Sequence, residues 1–182
     1  MTTIPVVIVG AGPTGITAAT LLAQYGIECL VLDRWSTVYP QPRAVHLDDE
    51  IFRIVARLGI AEEFAAISRP AQGLRLLDPT MRVLAEFRRD TALSAHGFPQ
   101  ANMFDQPEFE ALLRTNLKRH PNAELRGNVE VTQVEEKATA GYGSRSSIGR
   151  TGPSTMCTPN SCWAATGPTA SCARESAQPC ET

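Results

Sequence analysis

Residues 4–32 read "IPVVIVGAGPTGITAATLLAQYGIECLVL", and Asp33 follows. Ile4 to Val9 is a short, mostly β-branched run that stops at Gly10, the pattern of a buried strand. Thr14 to Tyr25 carries Ile16, Ala19, Leu22 and Ala23 on one helical face, with Gly26 as its stop. Glu28 to Leu32 reads as a second strand. A strand, a helix and a strand in this order predict a βαβ unit with parallel strands. Between the first strand and the helix, Gly10, Gly12 and Gly15 make G-x-G-x-x-G. Gly10 permits the tight turn, Gly12 lets backbone approach a pyrophosphate, and Gly15 lets the helix pack close to the strand. The helix N-terminus offers free N–H groups and a positive dipole end to phosphate. Asp33 ends the second strand about twenty residues on, where an acid accepts hydrogen bonds from ribose hydroxyls and disfavours a 2′-phosphate.

Working outward, the fold class is α/β. A Pro-rich loop, "STVYPQPRAVHLDD", follows the βαβ unit. A helix is predicted over Asp49 to Leu58, with Asp48 or Asp49 as cap and Gly59 as stop. A shorter helix covers Ala61 to Ile67. "LRLLDPTMRVLAEF" reads as two strands around an Asp-Pro turn, Leu74 to Asp78 and Arg82 to Phe87, forming an antiparallel hairpin. "QPEFEALLRTNLKRH" is a helix with Pro107 and acids in its first turn. "AELRGNVEVTQVEE" has strand character, with alternation at Val129, Val131 and Val134.

Composition changes near residue 137. From Lys137 to Thr182 there is no Val, Leu or Phe, and Gly, Ser, Thr, Pro and Ala dominate. Such a segment buries too little apolar surface to offset its ordering entropy. An irregular tail is therefore expected over 137–182, with Trp163 unburied, behind a partial cofactor-binding domain over 1–136.

The 182 residues carry a net charge of −2, which gives no footprint for nucleic acid. No basic segment precedes the first apolar run, and that run is far short of a membrane span. A cytoplasmic location with no membrane partner is expected. Of the five cysteines, Cys29 sits in a strand and reads as a small core residue; Cys157, Cys162, Cys172 and Cys180 fit no zinc spacing. No metal site is expected.

"PRAVHLDDE", "RPAQGLRLLDP" and "NMFDQPEFEALLR" together resemble the single-component FAD-dependent aromatic hydroxylases, closest to the branch acting on hydroxyphenylpropionates. The resemblance covers about residues 4–136. It implies a Rossmann-like FAD-binding domain in which Gly10, Gly12, Pro13, Thr14 and Gly15 cradle the pyrophosphate. It implies further that Asp33 binds the adenosine ribose with Arg34 beside it, that Arg43 reaches back towards the flavin, and that Gln106 contacts the cofactor. The alternatives are an ordinary solvated arginine at Arg43 and, at Gln106, a helix N-terminal residue bonding its own backbone. His46 reads as a loop residue with a structural hydrogen bond. The implied reaction uses NAD(P)H as reductant and a small phenolic substrate, with the cofactor carrying the chemistry, so no protein catalytic residue is assigned.

The family's later Asp-Gly and Gly-Asp motifs are absent from this sequence. "CWAATGPTA", Cys162 to Ala170, offers a reason. Read from the third base of the Cys162 codon, its triplets are YTG, GGC, NGC, NAC, NGG, NCC, NAC and NGC. The first two must encode Leu and Gly, and the rest permit CDGANS. The same shift from Lys137 to Ser144 permits GDGGVRV. An out-of-frame stretch after about Glu136 is therefore expected, which would leave the chain inactive as it stands. A rival reading is a short nucleotide-binding module whose disordered tail recruits a partner. A third, an NAD-dependent dehydrogenase, requires Arg43 and Gln106 to be irrelevant to the cofactor.

Overall fold

The first strand, β1 (Val6–Val9), is followed by α1 (Pro13–Gln24) and β2 (Cys29–Leu32). Further along lie β3 (His46–Asp48), α2 (Asp49–Arg57), α3 (Ala61–Ile67), β4 (Ser68–Pro70), β5 (Gly73–Leu77), β6 (Val83–Arg88), β7 (Ala101–Phe104) and α4 (Gln106–Leu117). The chain closes with β8 (Ala123–Arg126), β9 (Glu130–Ala138), β10 (Ser144–Thr151) and β11 (Ser161–Ala164). The computed structural model describes residues 4–89, 92–138, 144–151 and 161–164, with side chains up to residue 132. It divides into two units: one built from the chain up to Thr37 and from Leu117 onward, the other Val38–Asn116.

In the first unit, β1 and β2 pair in parallel with Val6 opposite Cys29 and Val9 opposite Leu32, as the βαβ pattern predicts. β2 in turn pairs in parallel with β8, Cys29 opposite Ala123. Every residue of β2 is buried. That fits an unbroken apolar run in a parallel strand covered on both faces. Successive side chains alternate between those faces. Val7, Leu30 and Leu32 join Val129 in one core cluster, flanked by Ile4 and Val131. On the other face, the Cys29 thiol donates to the Ala19 carbonyl of α1 at 3.6 Å. Cys29 is 1% exposed, the core residue expected of it, and burial, followed by the charge of Glu28, pushes its thiol pKa up.

α1 buries Gly15, Ile16, Ala19, Thr20 and Ala23. Its end is closed by a Schellman arrangement: Ile27 N donates to Leu22 O and Gly26 N to Ala23 O, with Gly26 at φ 74°. Asn122 Nδ2, just before β8, donates to Ala23 O at 3.0 Å, so a polar side chain also ties the helix end to the third strand's entry.

The second unit packs on aromatics. Phe52 of α2, Phe64 of α3, Phe104 of β7 and Phe109 of α4 form a chain of ring contacts, with Phe98 stacked on Phe52 at 4.4 Å. Asp48 caps α2 by accepting from Ile51 N at 2.9 Å, which decides between the two candidate caps. Asn116 Nδ2 donates to Leu58 O just beyond the other end of α2. β5 and β6 form the expected antiparallel hairpin. Its turn is held by Asp78 Oδ1, which accepts from Thr80 N, Thr80 Oγ1 and Arg82 N, while Met81 sits at φ 67°.

Two features differ from the sequence expectation. β3, β7 and β4 form a small antiparallel sheet within what reads as loop. Strands of three or four residues, such as "HLD" and "SRP", are too short and polar to show a period. Within 137–182, Ser144–Thr151 pairs antiparallel with β9, and Ser161–Ala164 pairs in parallel with β1. Composition alone predicts both to be irregular. Low apolar content argues against a packed core, whereas strand pairing needs only backbone N–H and C=O groups and an open edge to meet. The rest of that stretch, and the Trp163 side chain, lie outside the described residues.

Candidate functional site

Gly10 takes φ 107°, a conformation that L side chains rarely adopt. Its N–H donates to Leu32 O at 2.7 Å, which ties the start of the loop to the end of β2. Gly12 is the N-cap of α1 in an extended conformation, and Pro13 occupies the first turn, where its missing N–H costs nothing. A Cβ built on Gly12 would meet nothing within 4 Å. The cap has no side-chain hydrogen bond, and no acidic residue stands in the first turn. The first turn thus brings no carboxylate of its own to the positive end of the helix dipole. Thr14 is exposed here and Gly15 buried, so the loop presents backbone outward and packs its last glycine inward.

Asp33 is bound to this loop directly. Its Oδ2 accepts from Ala11 N at 2.6 Å, across 22 residues of sequence, and its Oδ1 accepts from Trp35 N at 2.7 Å. Ala11 is fully buried, so its N–H has no recourse to solvent. Asp33 is itself fixed by backbone: its N–H donates to Arg126 O and its C=O accepts from Val129 N. The sequence places Asp33 as a ribose acceptor; the structure adds that it latches the glycine loop. Each carboxylate oxygen has a second lone pair, so the latch leaves acceptor capacity for a hydroxyl. Arg34 stacks its guanidinium over the Trp35 ring, 5.5 Å from the centroid.

In the second unit, Arg43 is exposed with its guanidinium 5.5 Å from the Tyr39 ring centroid. Gln106, the first residue of α4, is 5% exposed. Its Oε1 accepts from both Arg43 N and Ala44 N at 2.7 Å, and its Nε2 donates to Glu110 Oε1 at 2.6 Å. The amide expected to contact a cofactor is spent chiefly on holding the arginine loop. Glu110, 2% exposed, is a residue that the sequence reading does not single out. The clue available is its spacing, four residues after a glutamine on one helix, where side chains meet. His46 lies in β3 rather than in a loop, opposite Met103 and exposed.

A parallel sheet, a glycine loop opening a helix, and an acid at the end of the second strand define an α/β protein of the dinucleotide-binding class. Residues 3–160 match the family described as "FAD binding domain". The chain belongs to that family. It is 37% identical over 133 residues to a 3-(3-hydroxy-phenyl)propionate/3-hydroxycinnamic acid hydroxylase of Mycobacterium sp. (strain JLS), covering 73% of this chain and 23% of that protein. It is 34% identical over 119 residues to an enzyme of the same name from Escherichia coli O139:H28, covering 65% and 21% respectively. The chain thus spans about a quarter of the length of these relatives. In fold it is similar to p-nitrophenol 4-monooxygenase PnpA from Pseudomonas putida DLL-E4, with a TM-score of 0.80 at 23% identity, over 94% of this chain and 43% of that one. It is also similar to the flavin-dependent monooxygenase PieE in complex with FAD and substrate, with a TM-score of 0.72 at 24% identity, over 88% and 30%.

Proposed function

We propose that this chain is the FAD-binding part of a flavin-dependent monooxygenase that hydroxylates a small phenolic acid such as 3-(3-hydroxyphenyl)propionate, with NAD(P)H as reductant. The observation that carries the reading is the bond from Ala11 N to Asp33 Oδ2, which fixes the glycine loop ahead of a helix whose first turn holds no carboxylate. Gly10, Gly12, Pro13, Thr14 and Gly15 would hold the pyrophosphate through backbone N–H groups, with no side chain in the way at Gly12. Asp33 would accept from the ribose, with Arg34 beside it. Arg43 would act on the cofactor with its guanidinium, and Gln106 through its grip on the Arg43 loop. When bound, FAD supplies the redox and oxygen chemistry, and the chain supplies binding, orientation and exclusion of water.

No helix of the described residues is long and apolar enough to cross a membrane, and a cytoplasmic setting suits the proposed reductant. Residues 137–182 are proposed to be an out-of-frame stretch, behind a partial FAD-binding domain over 1–136. Losing several buried hydrogen bonds to the flavin end, at roughly 1 kcal/mol or more each, weakens FAD binding by orders of magnitude. The test is to titrate the purified 182-residue chain with FAD and assay NAD(P)H-dependent phenol hydroxylation, beside the product of the frame-restored gene. Weak binding and no turnover by the chain, with both recovered on restoration, is the expected result. A chain that retains stoichiometric FAD and hydroxylates a phenol refutes the out-of-frame reading. A restored product that takes up no FAD refutes the cofactor reading.

A further inference from the structure

Glu110 is a buried carboxylate in a helix that could bury an apolar side chain there at less cost. An ionisable group 2% exposed needs a partner to offset its desolvation. Its partner is Gln106, one helical turn earlier, whose Nε2 donates to Glu110 Oε1 at 2.6 Å. Gln106 has two chemically opposite ends on one rigid plane. The backbone N–H groups of Arg43 and Ala44 both point at that plane, 2.7 Å from Oε1. Only an oxygen can receive them. If the amide turned over, its NH2 would face two donors, and Oε1 would face the Glu110 carboxylate. Glu110 therefore anchors the amide in the same orientation that two successive backbone N–H groups, 62 and 63 residues away in sequence, require. Those two N–H groups fix the peptide from which the Arg43 side chain departs.

We propose that Glu110 is a positioning residue for Arg43: through the Gln106 amide it sets the backbone of the Arg43–Ala44 peptide and so where the guanidinium is held. The consequence for cofactor binding rests on the proposed FAD reading; the consequence for the loop does not. The acceptor is what matters, so Glu110→Gln, which keeps a carbonyl oxygen at that reach, should preserve the arrangement. Glu110→Leu, which fills the space without an acceptor, should release it.

The experiment has two arms on the 182-residue chain. In the first, without FAD, amide hydrogen exchange at Arg43 and Ala44 is measured by NMR. Exchange should quicken by about ten-fold or more in Glu110→Leu and stay close to the parent in Glu110→Gln, since each N–H then loses or keeps a bond of ordinary strength. In the second, FAD affinity is read from flavin fluorescence. Glu110→Leu should weaken it by about ten-fold, and should weaken it no further when Arg43 is already alanine. If the leucine variant does not fold, Glu110→Asp, whose carboxylate is drawn back by one methylene, takes its place with the same expected loss. Unchanged exchange in the leucine variant, equal loss in the glutamine variant, or additive losses with Arg43→Ala would overturn the proposal. Where the 182-residue chain binds too little FAD to titrate, the affinity arm is run in the frame-restored product, whose failure to bind defeats the cofactor reading alone, and the exchange arm still decides the role of Glu110.

Discussion

Replacing Asp33 with asparagine removes one acceptor oxygen and leaves the shape almost unchanged. The carboxylate now serves two N–H groups, Ala11 on Oδ2 and Trp35 on Oδ1. The asparagine of an Asp33→Asn variant can satisfy one of them with its carbonyl; the other then faces an NH2. The two are unequal. Trp35 is exposed, and its N–H can turn to water. Ala11 is fully buried, and its N–H cannot. If the asparagine serves Trp35, the cost is the loss of this bond at a buried donor. If it serves Ala11, the cost is a weaker neutral bond in place of a charge-assisted one. A hydrogen bond to a charged group contributes about 1.5–3 kcal/mol, so a loss near 2 kcal/mol is expected. With a urea slope of about 2 kcal/mol per molar, the midpoint should fall by about 1 M. Circular dichroism in urea measures this, and hydrogen exchange at Ala11 locates it. A midpoint within about 0.25 M of the parent, with Ala11 exchange unchanged, would show that the latch contributes nothing and that Asp33 is free for ligand alone.

Gly12→Ala should abolish FAD binding while changing stability by less than about 1 kcal/mol, because Gly12 has φ −74° and open space around its Cβ position; thermal melts beside a flavin titration separate the two effects. Met81→Gly should raise stability by up to about 1 kcal/mol in urea, since Met81 holds φ 67° on an exposed turn where glycine is unstrained. Asp49 has its pKa lowered, first by a hydrogen bond from Ser94 and then by one from His96. Its stabilising effect is therefore present above the ordinary carboxylate range and is lost as pH falls through the lowered value. Asp49→Asn should flatten the acid limb of the stability profile below about pH 4, as urea midpoints at about pH 3 and about pH 4 would show.

The βαβ unit was legible because three signals agree there: a β-branched run, a helical face and a glycine spacing. Hydrophobic period also located α2, α3, α4 and the β5–β6 hairpin. It could not reveal β3, β4 and β7, which are held by pairing to one another rather than by any apolar alternation of their own. The site divides in the same way. Gly10 is readable because its backbone conformation demands glycine, and Gly12 and Gly15 because their spacing from it completes the motif ahead of a helix. The second role of Asp33 was hidden because its donor lies 22 residues earlier, in a loop whose N–H directions no sequence rule supplies. Gln106 was flagged by resemblance, but its actual partners, two backbone amides in the Pro-rich loop and a buried glutamate, depend on tertiary placement.

The first unit is discontinuous in sequence: β2 finds its neighbour β8 only after the chain has passed through Val38–Asn116. Sheet assembly is therefore tied to the compaction of the intervening segment. Closing a flexible loop of roughly 80 residues costs about 2 kcal/mol more than closing one of roughly 10, by the logarithmic dependence on length. A folded second unit can spare β2 and β8 much of that difference, by replacing a long random span with a short effective one. Lesions in the phenylalanine cluster should thus slow docking of β8, a strand of the other unit, and cutting the chain within the second unit should free Ala123–Arg126 from its partner more readily than its own pairing would suggest.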